Sequence, residues 1–420
     1  MALLTLDLGS FESYIKEMKF RRLLFWCHLA TGCAAGTVIL IMCLTGVLLA
    51  FERQIVAWSG ERLPLARATA STPAITLDTI GKSFDQSTPV PSITIRAKAI
   101  APVEVSFGRE RTIFVDPADG KVLGEQSKQI RSFFTTVERI HRALGGELRK
   151  SVGRGVTGGC NVGLLFLVVS GLYLWFPKKF SLQSFRIGLW FKGGLGGRPR
   201  DLNWHKTIGF WSALPLFFIV LTGVVMSYAW ATNLLYRVTG TEPPPQAGLR
   251  NSSAREAPPS QARHNRKETG GKSFADAKSL DQLITIAKRR TPGWQSITFS
   301  LPERADRLIT FAVDEGNGGQ PQKRSQLTLN RTTGELERQD GFAAYNLGRK
   351  LRTIARFLHT GEILGIGGQL IAAVASLGGA FLVCTGFALA LRRLAGWYGR
   401  KARAIAVRTQ NQQMQESHSN

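Results

Sequence analysis

No cysteine falls in the polar stretches of this 420-residue chain: Cys27, Cys33, Cys43, Cys160 and Cys384 all lie inside or at the edge of apolar runs. A disulfide framework is therefore not expected. With no C-x-x-C pair, neither a zinc ribbon nor covalent attachment of a c-type haem is supported. No G-x-G-x-x-G follows a strand-like segment, and no other flavin or nucleotide fingerprint appears, so an electron donor has to be a separate molecule. Acidic residues are scarce, 29 against 54 Lys and Arg, which leaves a net charge of +25. An excess of that sign can mark a nucleic-acid binder. Here much of it flanks apolar runs, so it is read as membrane topology, with no nucleic acid among the expected partners.

Charge is missing altogether from four long runs: Leu23–Phe51, Val156–Phe176, Ile208–Trp230 and Ile363–Leu391 contain no Asp, Glu, Lys or Arg. Each reaches the roughly 20 residues needed to cross a bilayer. Trp26, Trp58, Trp175, Trp204, Trp230 and Trp397 lie near their ends, as an aromatic belt requires. The first run follows Lys16, Lys19, Arg21 and Arg22 without a small-residue cleavage site, and reads as an uncleaved anchor. The N-terminus (1–22), the loop 177–207 and the tail 392–420 are short and basic. These three alternate on one side, which predicts both termini in the cytoplasm of a bacterial inner membrane. The longer stretches 52–155 and 231–362 then face the periplasm.

The chain also repeats itself. His28 is followed 17 residues later by Thr45 in Leu44-Thr45-Gly46-Val47, and His205 at the same distance by Thr222 in Leu221-Thr222-Gly223-Val224. Gly146-Glu147-Leu148 precedes Ser170-Gly171 as Gly361-Glu362-Ile363 precedes Thr385-Gly386, with His141 and His359 just upstream. Asp116–Gly120 and Asn330–Gly334 are matching strand–turn–strand signals. Alternation at Ser92–Ile95, Glu104–Phe107 and Leu308–Val313 predicts further strands. Helices are expected near Leu77–Phe84 and Asp276–Arg289. Residues 241–272, rich in Pro, Ser, Arg and Gly, read as a disordered insertion. The expected fold is four transmembrane helices in two parallel repeats, with two periplasmic α+β modules related by a pseudo-two-fold along the membrane normal.

Four of the six histidines fall at or just before the starts of the spans. His28 and His205 share the inner level, His141 and His359 the outer. An interfacial histidine is often only a polar boundary residue. Four of them matched across a duplication point instead to iron ligation, because two neutral imidazoles make a closed, six-coordinate electron-transfer haem. The (Ser/Thr)-Gly steps fall at the opposite end of each helix from its histidine. Gly171 and Gly386 are thus expected beside the inner pair, Gly46 and Gly223 beside the outer, where glycine permits close approach of a flat macrocycle. Arg142, Arg149, Arg154 and Arg356 are candidate partners for outer propionates, Lys206 and Arg22 for inner ones.

Several of these segments resemble the PepSY-associated transmembrane family across about residues 20–395. They are Trp26-Cys27-His28-Leu29-Ala30-Thr31-Gly32, Trp204-His205-Lys206-Thr207-Ile208-Gly209, Ile140-His141-Arg142-Ala143-Leu144 and Ser170-Gly171-Leu172-Tyr173-Leu174-Trp175-Phe176-Pro177. The turn Asp116–Gly120 looks like the signature of the PepSY module. That family includes haem-bearing inner-membrane reductases that release iron from ferric siderophores. The resemblance implies two b-type haems, an electron path across the bilayer, a ferric siderophore as substrate, and a separate cytoplasmic flavoprotein or quinol as donor. The alternative it leaves is a non-redox membrane sensor or peptidase-regulating protein that uses its PepSY modules for binding. A transporter ranks last, because no acidic residue inside the spans offers a coupling site.

Overall fold

In the structure, a computed structural model, residues 8–60, 76–83, 91–98, 101–108, 111–145, 150–177, 182–243, 277–301 and 306–419 are described. Most of the expected insertion at 241–272, the Gly146-Glu147 step, Arg149, Lys178 and Lys179 lie outside these residues. In chain order the helices are α1 (Leu8–Ala50), α2 (Glu52–Gly60), α3 (Leu77–Ser83), α4 (Lys128–Ala143), α5 (Lys150–Trp175), α6 (Leu182–Leu189), α7 (Gly197–Ser227), α8 (Ala229–Val238), α9 (Leu280–Arg290), α10 (Leu347–His359) and α11 (Gly365–Ser419). The strands are β1 (Ser92–Arg96), β2 (Val103–Phe107), β3 (Arg111–Val115), β4 (Val122–Glu125), β5 (Ser296–Ser300), β6 (Leu308–Asp314), β7 (Arg324–Asn330) and β8 (Leu336–Gly341).

The four charge-free runs all become helix. Lys19–Ala50, Ser151–Trp175, Gly197–Ser227 and Glu362–Ile405 are long and apolar enough to cross a membrane. Large apolar side chains such as Leu214, Ile371 and Val374 are more than half exposed along them. A water-soluble bundle would not leave so much of its surface apolar. The protein is therefore an integral, helical membrane protein. In a bilayer the hydrophobic effect no longer drives helices together, so close packing through small residues does. A Cβ added at Gly378 would come within 2.2 Å of the Ser212 hydroxyl, and one at Gly36 within 2.6 Å of the Phe387 ring. Buried Asn161, on α5, donates to the Val220 carbonyl of α7 at 3.2 Å.

The chain divides into two compact units, one of Met1–Leu48, Val137–Ser227 and Leu370–Asn420, the other of Leu49–Thr136 and Tyr228–Gln369. The second unit is built on a single eight-stranded antiparallel sheet of order β4-β3-β2-β1-β5-β6-β7-β8. Each extramembrane stretch supplies a four-stranded meander, and the two join edge to edge through β1 and β5. Ser92-Ile93-Thr94-Ile95-Arg96 runs against Ser296-Ile297-Thr298-Phe299-Ser300, with Thr94 opposite Thr298. Their hydroxyls hydrogen-bond at 2.8 Å.

Period-two alternation turns Ile93, Val105, Ile297, Phe299, Phe311, Leu327 and Leu329 inward, all with no measurable exposure. Ile80 of α3 and Leu283, Ile284 and Ala287 of α9 complete that core. Full burial of each large side chain contributes about 1.5–3 kcal/mol. The two repeat turns are alike in detail. Gly120 and Gly334, at φ +70° and +77°, sit where a left-handed residue is needed. Their amides donate to the carbonyls of Asp116 and Asn330, each at 2.9 Å. The Asp116 and Asn330 side chains accept from the amides of Ala118 and Thr332, at 2.8 and 3.0 Å.

Candidate functional site

His28 lies inside α1 and His205 inside α7, each toward the N-terminal end of its membrane span. His141 and His359 lie upstream of the second and fourth spans, on neither of them. They end α4 and α10, separate amphipathic helices that precede the second and fourth spans. α4 closes with the Leu144 amide on the Ile140 carbonyl and the Gly145 amide on the Arg139 carbonyl, at 2.9 and 3.2 Å. Leu144 takes the left-handed position at φ +54°, the one non-glycine among the described residues to do so. That conformation costs a residue with a Cβ about 1–2 kcal/mol. It fixes the chain direction three residues after His141.

Three of the four rings are held in the same way. The Nδ1 of His28 hydrogen-bonds Ser170 Oγ at 2.8 Å. His205 Nδ1 meets Thr385 Oγ1 at 2.9 Å, and His141 Nδ1 meets Thr45 Oγ1 at 2.9 Å. In each case the hydroxyl residue is followed by glycine, and the absent Cβ faces the ring. A Cβ built on Gly171 would stand 3.2 Å from His28 Cε1, on Gly386 3.7 Å from His205 Cε1, and on Gly46 3.5 Å from His141 Cε1. Each histidine is thus braced by the partner span of its own half of the duplication. All three rings are part-buried. His28 and His205 also lie within electrostatic reach of each other. His359 is part-buried in the other compact unit, and Thr222 and Gly223 are buried in α7.

Among the described residues no group of three or more His, Cys, Asp and Glu side chains gathers to hold a bare metal ion. A haem needs only two axial donors, and imidazoles with anchored Nδ1 atoms suit that task. The model of the PepSY-associated TM region matches residues 25–393. The chain belongs to the PepSY-associated transmembrane family. No curated protein matches it.

The other charged candidates in this PepSY-associated transmembrane protein have varied surroundings. Arg142 is exposed and pairs with Glu138 at 2.9 Å. Arg22 and Arg154 are exposed, and Lys206 is part-buried. Arg21, which the sequence did not single out, donates to the Leu174 and Phe176 carbonyls at 2.7 and 2.6 Å, capping α5. In the sheet-bearing unit Arg356 lies one turn before His359, against the Phe357 ring. Arg324 stacks on the same ring. It donates to Asp314 at 3.0 Å and to the Gly318 carbonyl. Burial, with the like charges of Arg53 and Arg356, pushes the Arg324 guanidinium down to about 10. It stays protonated at neutral pH. Burial also pushes the Asp314 carboxyl up. Arg53 joins this group to the start of the fourth span, pairing with Glu362 at 3.3 Å and donating to the Asn317 carbonyl at 2.6 Å. Nothing in the sequence pattern marks Arg53, Asp314 and Arg324, because they come together only through the β6–β7 turn.

Proposed function

We propose that the chain is a haem-bearing oxidoreductase of the bacterial inner membrane that delivers electrons to a ferric siderophore on the periplasmic side. The observation that carries this reading is the repeated His–hydroxyl–Gly arrangement, which braces His28 on Ser170, His205 on Thr385 and His141 on Thr45. Haem held by two imidazoles supplies one-electron transfer with no open coordination position. His28 and His205 would hold one b-type haem, and the sequence repeat offers His141 and His359 for a second. Gly171, Gly386 and Gly46 leave room beside the rings, and the sequence repeat offers Gly223 as their counterpart for His359. The basic segments 1–22, 177–207 and 392–420 support cytoplasmic termini. The absence of a flavin or nucleotide fingerprint calls for a separate cytoplasmic flavoprotein or membrane quinol as donor. Reduction aids release because hydroxamate and catecholate oxygens are hard ligands that favour Fe(III) over Fe(II).

The test is chelate reduction by purified protein in vesicles. A ferric trihydroxamate and an Fe(II) trap are placed on the periplasmic-domain side, and a reductant is enclosed on the other. The trap should colour with the wild-type protein and stay blank with His28→Ala. Haem-loaded protein that leaves the chelate untouched would reject the substrate. Protein that never takes up haem would reject the redox reading itself.

A further inference from the structure

We propose that Ser170, Thr385 and Thr45 are positioning residues that set the tautomer of the histidine each one touches, so that each ring presents an unprotonated Nε2 before any iron arrives. The use made of that nitrogen rests on the haem reading; the tautomer does not.

A hydroxyl has one proton to donate and two lone pairs to accept with. In all three residues that proton is directed along the helix's own backbone. Ser170 Oγ is 2.6 Å from the Phe166 carbonyl. Thr385 Oγ1 is 2.8 Å from the Phe381 carbonyl, and Thr45 Oγ1 is 2.6 Å from the Ile41 carbonyl. Each is the four-residue back-bond that Ser and Thr make inside helices. The oxygen is left only its lone pairs for the ring, so the ring nitrogen has to be the donor. A neutral imidazole has a single N–H. With that proton on Nδ1, the lone pair sits on Nε2, the form in which histidine ligates metals.

The ring plane is fixed as well as the proton. Nδ1 is tied to the hydroxyl while Cε1, its neighbour in the ring, rests over the next residue's glycine. Two adjacent ring atoms are thereby held against that helix. One Ser–His or Thr–His bond would be unremarkable. Here the same three-part arrangement recurs on three different helix pairs, in both halves of the duplication, with the same atom bonded each time.

The experiment uses the full-length protein purified without haem, labelled with 15N-histidine, beside the haem-loaded form. The 15N spectrum distinguishes Nδ1–H from Nε2–H rings directly, and His205→Gln identifies the His205 signal. Wild-type His28, His205 and His141 should all be Nδ1–H. The near-isosteric Thr385→Val should move His205 to a mixture of tautomers and weaken haem binding by about 10–100-fold, the usual consequence of losing such a partner. Thr385→Ser should restore both. Nε2–H rings in the wild type, or a His205 signal unmoved by Thr385→Val, would overturn the proposal. Nδ1–H rings in a protein that never binds haem would uphold the tautomer assignment and overturn the proposed function.

Discussion

Gly386 separates two explanations for the small residues that follow the hydroxyls. At Gly36, Gly378 and Gly379 a Cβ would collide with Phe387, Ser212 and Cys43 at under 3.0 Å, so these glycines are needed for helix packing. At Gly386 the nearest atom is His205 Cε1 at 3.7 Å, an ordinary contact, so the protein alone does not require glycine there. Helical Gly→Ala changes tend to stabilise by up to about 1 kcal/mol. Gly386→Ala is accordingly expected to unfold at the same temperature as the wild type or higher, while its haem-to-protein ratio falls. Gly378→Ala should instead destabilise by about 1–3 kcal/mol through overpacking. Thermal unfolding in detergent together with haem quantitation checks both. Full occupancy in Gly386→Ala would remove that glycine from the cofactor site. The repeated Leu-Thr-Gly-Val and (Ser/Thr)-Gly strings marked the glycines beside the histidines. They carried no sign that the preceding hydroxyl, rather than the glycine alone, grips the ring, because that bond joins residues 142 and 180 positions apart.

α3 and α9 show the same limit for whole segments. Both begin Leu-Asp, at Leu77-Asp78 and Leu280-Asp281, and both were expected as helices from local pattern. What the pattern could not express is that each aspartate caps the other helix. Asp281 accepts from the Leu77 and Asp78 amides at 3.1 and 3.3 Å, and Asp78 accepts from the Leu280 amide at 3.0 Å. An N-terminal cap is typically worth about 1 kcal/mol. Asp281→Ala should therefore speed amide exchange several-fold across 77–83, although the substitution lies some 200 residues away in sequence. Unchanged exchange there would show that α3 does not depend on the trans cap. The β1–β5 seam was hidden for a similar reason. Ser92–Ile95 read correctly as a strand, but a strand's sequence does not say whether its second edge meets water or another strand. The amphipathic helices α4 and α10 were not expected as helices at all, and fall within the stretches 52–155 and 231–362.

The membrane class of the whole chain was the most legible property, since it rests on the absence of charge from four runs and needs no tertiary information. The likeness of the two turns at Gly120 and Gly334 was legible too. Hidden was the joining of the two extramembrane stretches: expected as separate modules, they complete one sheet with Thr94 and Thr298 at its centre. The functional claim rests on imidazoles from both halves gripping iron. Its most direct test is the visible spectrum of the purified protein, oxidised and dithionite-reduced, with pyridine haemochrome quantitation. Two b-type haems per chain are expected, with one lost in His28→Ala and the same one lost in His205→Ala. A wild-type spectrum without a Soret band, or two haems surviving in His28→Ala, would contradict it.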